Sequence, residues 1–133
     1  MITSLHAATG AAAGALAGTR RRAILAGLVL HAAGDHVPHW DVKSRRFEVQ
    51  SGIGALALLA ATRGPLHPAT IGAAASCAPD LEHVLPLPRP GGRKLFPSHR
   101  VHGWHRPGGL RTRTQLLAAG VLLGLVASAP RRR

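Results

Sequence analysis

The sequence predicts an all-α protein, a small bundle of four to five short Ala/Gly-rich helices embedded in a membrane and carrying one long Pro/Gly-rich loop. Three observations lead there. Hydrophobic residues make up 46% of the 133 positions, yet aromatics make up 3% and tyrosine is absent. The apolar content is therefore largely Ala, Leu and Val, and together with 16 glycines it suits closely approaching helix backbones. β-branched and aromatic residues are too sparse for a sheet. A chain of this length makes one domain (1–133) with one modest core.

The elements follow from where the charges fall. Met1–Thr19 carries no Lys, Arg, Asp or Glu and ends at Arg20-Arg21-Arg22. Ala23–Gly34 is the next uncharged stretch, closed by Asp35 and followed by Lys43, Arg45 and Arg46. Val49–Thr62 runs to Arg63, Gly64–Pro79 to Asp80, and Thr114–Pro130 to Arg131–Arg133. Five hydrophobic segments with basic punctuation read as four or five helices joined by polar loops. The best membrane-spanning candidate is Leu116–Val126, inside an uncharged run from Gln115 to Ser128. Seventeen residues at ~1.5 Å rise cover roughly 25 Å, short of a hydrocarbon core near 30 Å, so such a span is a short one. Between 86 and 113, Pro86, Pro88, Pro90, Gly91, Gly92, Pro97, Pro107, Gly108 and Gly109 preclude a long helix. A loop of that length in a small domain, bearing three histidines, is expected to be functional.

The formal charge is +12, and after Glu82 ten bases follow with no acid. That balance favours an anionic partner: membrane lipid or an anionic substrate. Nucleic acid is disfavoured, because stacking aromatics and a helix basic along one face are both missing. One cysteine, Cys77, excludes an intrachain disulfide framework and a Cys-rich zinc module, and its small-residue surroundings suit a buried, inert thiol. The first residues lack the basic n-region of a secretory signal.

Nine histidines against five acids are the sharper anomaly. His6 stands alone among small residues early in the first helix. Within His31–Asp41 lie three His and two Asp. His31 and Asp35 are four apart and share a helical face, which suits two ligands to one metal or a His oriented by a carboxylate. Pro38 then ends the helix and turns His39, Trp40 and Asp41 back over its mouth. Asp80 and His83, three apart, repeat the pattern after the Ala69–Ala78 run. The competing reading is Asp80 as the N-cap of a short helix with His83 at N3. His99, His102 and His105 follow at spacing three, flanked by arginines, and suit ligands, a general base or phosphate contacts, or else a solvated basic loop. Trp104 beside them wants a surface to pack on. Asp35…His39 and Asp80…His83 look like a degenerate pair of helix ends converging on one or two metals. Nitrogen and carboxylate donors without thiolate suit Zn²⁺, with Mn²⁺ or Fe²⁺ as alternatives. No phosphate-binding Gly-rich loop, nucleophile elbow or HExxH is present.

The motifs Ser4-Leu5-His6, Pro79-Asp80-Leu81-Glu82-His83, His99-Arg100 with His102, and His31-x-x-x-Asp35-x-x-Pro38-His39 resemble those of small bacterial inner-membrane proteins described as membrane-bound metal-dependent hydrolases. In motif style these are similar to zinc-dependent phospholipase C-like proteins. The resemblance implies a multi-helix protein of the bacterial cytoplasmic membrane with a metal site near the interface, to which His6, Asp80, His83, His99 and His102 are carried over and His31 and Asp35 added. Glu82 stands where the family usually has Asp, and Gly-Trp follows His102 in place of the usual Thr-His-Ser step.

The expectation is thus a membrane-associated metal-dependent hydrolase acting on a phosphoester or similar anionic substrate. Its candidate metal ligands are His6, His31, Asp35, His39, Asp80, His83, His99 and His102, and its candidate catalytic residues are Glu82 and Arg100, the latter as anion contact. The alternative is a non-enzymatic small membrane protein that binds anionic lipid or a partner through its His/Arg loops.

Overall fold

The computed structural model describes residues 1–130, and these are all-helical. Five longer helices, α1 (Thr3–Ala17), α2 (Arg20–His36), α3 (Arg45–Arg63), α4 (Pro68–Cys77) and α7 (Thr112–Ser128), match the five uncharged segments in order. Two four-residue helices, α5 (Leu81–Val84) and α6 (Pro97–Arg100), lie between α4 and α7, and a 3₁₀ turn Ala78–Asp80 joins α4 to α5. The helices reach further into the basic punctuation than the charge pattern predicts. Arg20–Arg22 form the first turn of α2 because Arg is a good helix former and the Thr19 hydroxyl caps them, accepting from the Arg22 N–H. Ser44 caps α3 in the same way, accepting from Phe47 N–H.

Helix α1 is the hub and packs against α2, α3, α4 and α7. Its sequence is small on every side, so neighbours press in from all round it. A Cβ at Gly10 would lie 2.4 Å from the Gly72 carbonyl oxygen, and one at Gly72 would lie 2.3 Å from that of Gly10. Only glycine permits this contact, and it brings the chain from α4 onward close to the start of α1. Ala7, Ala11, Ala55, Leu59, Ala69, Ala73, Cys77 and Val126 form the main core, with Ile2, Leu5, Ala8 and Ala119 in a second cluster.

No helix of the described residues is long and apolar enough to cross a membrane. This corrects the expectation of a spanning bundle. Helix α7, the leading candidate, has 17 residues and packs one side on α1 and α3 while exposing Leu117, Val121 and Leu125 on the other. Arg111 and Arg113 at its start leave too short an apolar stretch for ~30 Å of hydrocarbon.

The long loop is tied down from both sides. The Leu110 N–H donates to the Pro38 carbonyl and the Trp40 N–H to that of Leu110, at 2.9 and 3.0 Å. Gln115, fully buried on α7, donates through Nε2 to the Trp40 and Leu110 carbonyls and accepts from the Ile2 N–H. The Trp104 indole N–H donates to the Ala32 carbonyl at 2.8 Å, meeting the expectation that this ring packs on a surface. These anchors lay α6 and the segment after it across the C-terminal end of α2.

Candidate metal centre

The cluster forms where the start of α1, the end of α2, the α4–α5 junction and α6 meet. Asp35, 1% exposed, is at its centre. Its Oδ2 lies 3.0 Å from His31 Nε2, 3.3 Å from His99 Nε2 and 3.2 Å from His105 Nε2, and accepts from the Ser98 hydroxyl at 2.8 Å. Its Oδ1 lies 3.2 Å from His6 Nε2. The N-terminal amine also donates to Oδ1, at 3.3 Å. Asp80 faces the same space from the other side, with Oδ1 3.9 Å from His31 Nε2 and 3.8 Å from His99 Nε2.

The orientation of the rings is the informative part. His31 donates its Nδ1–H to the Ser76 carbonyl at 2.8 Å, and His99 donates its Nδ1–H to the Glu82 carboxylate. With both Nδ1 protons committed, the two rings turn their Nε2 atoms toward each other, 3.2 Å apart, with Asp35 and Asp80 oxygens beside them. Lone pairs and carboxylate oxygens at this spacing repel unless a cation stands among them, either a metal ion or a proton on a ring. A carbonyl or carboxylate behind the ring is also the usual way a metal-binding imidazole is held in the right tautomer. Three overlapping sets of donors lie within 4.8 Å of one another: His6, His31 and Asp80; His31, Asp35 and His99; Asp80, His83 and His99.

The electrostatics follow from burial and these partners. Burial alone would raise the Asp35 carboxyl, but the imidazoles of His105, His31, His6 and His99 hold it far below the usual carboxylate range. Burial, with Asp35 nearby, raises that of Asp80. Burial brings His6 down to about 4, and burial together with the His99 and Lys94 charges brings His83 to about 4. His99 moves the other way, because Asp35 and Glu82 outweigh its burial. His6 stacks on His31 with ring centroids 4.1 Å apart, and its buried Nδ1 has no hydrogen-bond partner.

Of the expected ligands, the structure brings together His6, His31, Asp35, Asp80, His83 and His99. His39 and His102 are not among them. His39 is buried, but its Nδ1 donates to the Val37 carbonyl while its Nε2 faces the N-terminal amine and Asp41. His102 is exposed on the turn after α6, with no polar or ring partner among the described residues. The ring that reaches Asp35 from that run is His105, because Gly103 with φ +76° reverses the chain after His102. Glu82 is buried and does not face open space. It accepts from His99 and from the Leu95 and Phe96 N–H groups, so it positions His99 and the loop before α6. Arg100 is exposed beside a cavity of about 770 Å³ that Arg89, Arg93 and Lys94 also line. Asp80 stands at the N-cap position of α5 with His83 at N3, as the competing reading has it, but its carboxylate makes no cap bond and instead accepts from the Thr3 hydroxyl at 3.4 Å.

The class that fold and site define is an all-helical bundle with a buried His/Asp donor cluster roofed by a long loop. Comparison with protein-family models, with curated proteins and with solved structures finds no match for this chain.

Proposed function

We propose that the chain is a metal-dependent hydrolase that works at a membrane surface on a phosphoester or similar anionic substrate. The observation that carries this reading is the pair of facing Nε2 atoms of His31 and His99, each ring held from behind and flanked by the Asp35 and Asp80 carboxylates. Imidazole and carboxylate donors without thiolate favour Zn²⁺, with Mn²⁺ or Fe²⁺ the nearest alternatives. Two of the donor sets share only Asp80, an arrangement compatible with two neighbouring ions. Such ions, when bound, supply Lewis acidity to the oxygens of a phosphoester and a water of lowered pKa. Glu82 keeps His99 in its ligating tautomer, and Arg45 and Lys94 place positive charge at the rim of the adjoining pocket.

Membrane contact is proposed as peripheral, since no helix of the described residues can span. It is supported by the +12 charge and by the exposed Leu25 and Val29 of α2 and Leu117, Val121 and Leu125 of α7. The bacterial cytoplasmic membrane implied by the family resemblance remains part of this proposal.

Elemental analysis of the purified full chain tests the reading. Stoichiometric transition metal, lost in Asp35→Asn and Asp80→Asn, together with metal-dependent release of phenol from aryl phosphates, is the expected result. No bound metal in the wild type overturns it. A second reading, a non-enzymatic binder of anionic lipid, is favoured by the exposed Arg89, Arg93 and Arg100 around their cavity. It predicts vesicle binding that survives Asp80→Asn and is lost on charge reversal of these arginines.

A further inference from the structure

One pocket of about 550 Å³ opens directly onto the donor cluster, a volume within the roughly 300–1,000 Å³ of small-molecule sites. Its two ends differ in chemistry. At one end are Asp35, Asp80, His99 and His105, the candidate metal donors. At the other, α3 contributes Val49, Ile53 and Leu56, and the short α5 contributes Leu81 and Val84. The cationic side chains of the lining are Arg45 and Lys94, while its further carboxylates, Glu48 and Asp41, are partnered by the Thr3 N–H and by His39. The Arg45 guanidinium donates to the Val84 carbonyl and Lys94 Nζ lies 3.1 Å from His83 Nδ1, so each side chain is held in place with further N–H groups to offer.

A small inorganic or sugar phosphate would fill the polar end and leave the apolar wall wet. Apolar wall, anchored cations and metal donors in one continuous cavity match a molecule that has an apolar chain on one side of an anionic group. We propose that this pocket selects a single-chain amphiphile. Its anionic head binds between the metal donors and the Arg45 and Lys94 cations, and its hydrocarbon chain lies between α3 and α5. This rests on the metal-hydrolase reading and names the substrate class for the same site. It also accounts for apolar side chains left open to solvent at the pocket mouth, Ile53 at 62% and Leu81 at 47% exposed, which a chain would cover.

The test is calorimetric titration of the zinc-loaded full chain with alkylphosphonic acids of two, four, six and eight carbons, with zinc content measured on the same sample. The expected result is tightening of up to about fourfold per added methylene, the limit set by full burial of each group. Ile53→Ser and Leu81→Ser, both at exposed positions, are expected to flatten that series. Alkyltrimethylammonium ions of the same lengths are expected not to bind. A zinc-loaded chain that binds ethyl- and octylphosphonate equally overturns the amphiphile proposal and leaves the metal reading standing. A slope retained in both serine variants, or equal binding of the cationic series, overturns it as well. Absence of any bound transition metal overturns both.

Discussion

At Asp35 a buried carboxylate is surrounded by four imidazoles and a serine hydroxyl, more partners than a structural aspartate needs. Replacing it with Asn keeps the volume and removes the charge that balances any cation there. Asp35→Asn is therefore expected to weaken zinc binding by more than the ~10–100-fold anticipated for the positioning change Glu82→Gln. Competition with a chromophoric chelator measures both, and equal affinities in wild type and Asp35→Asn would remove Asp35 from the ligand set. Cys77 gives a contrast. Its thiol is buried and pushed up to about 12 by burial and by Asp80, so thiolate is scarce until the pH nears that value. At pH 8 the folded chain should resist a disulfide reagent that reacts promptly with the same chain in guanidinium. Prompt reaction of the folded chain would contradict the buried placement. At this scale the sequence was partly legible. His31 with Asp35 and Asp80 with His83 could be paired by helical spacing alone. The choice of His105 over His102 depends on the reversal at Gly103, which spacing does not encode.

At the scale of elements, the architecture depends on glycine where helices touch and on one glutamine where the loop is tied. The Cβ of Gly10→Ala would collide with the Gly72 backbone, a rigid obstacle, so a loss of ~1–3 kcal/mol is expected, typical of overpacking. Gly120 on α7 has nothing within 4 Å of its would-be Cβ, and Gly120→Ala should stabilise by ~0.5–1 kcal/mol through helix propensity. Urea melts of the two variants check the pair, and similar shifts in both would deny that α1 and α4 meet at their glycines. Gln115→Leu leaves the Ile2 N–H and the Trp40 and Leu110 carbonyls without their partner, at ~1–3 kcal/mol for each group that stays buried. The same variant should loosen the pairing of residues 38–40 with residues 106–110 beside the cluster, seen as faster amide exchange there. The helices themselves were readable from uncharged runs. The role of Gln115, in contrast, is not legible from the uncharged run it begins, because one residue's neighbours in sequence do not reveal its neighbours in space.

For the whole molecule the decisive features are the charge of +12 and the apolar side chains that α2 and α7 leave exposed among the described residues. Together they predict binding to vesicles rich in anionic phospholipid, weakening as salt is raised because surface charges are screened over ~10 Å at 0.1 M. Neutral vesicles should bind far less. Cosedimentation checks this, and failure to bind anionic vesicles even at low salt would remove the membrane from the proposed function.

The sequence by itself determined the helical class, the five long helices in order, and the concentration of His and Asp at helix ends. Each of these follows from local rules: charge-free runs, small-residue content and three- or four-residue spacing. The tertiary structure alone decided that α1 lies at the hub, that Asp35 and Asp80 face each other across one space, and that Glu82 holds His99. It also decided that α7 packs along the bundle without being long and apolar enough to cross a membrane. Those outcomes depend on contacts between segments distant in sequence, above all the glycine contact of α1 with α4, which brings the α4–α5 turn beside the first turn of α1.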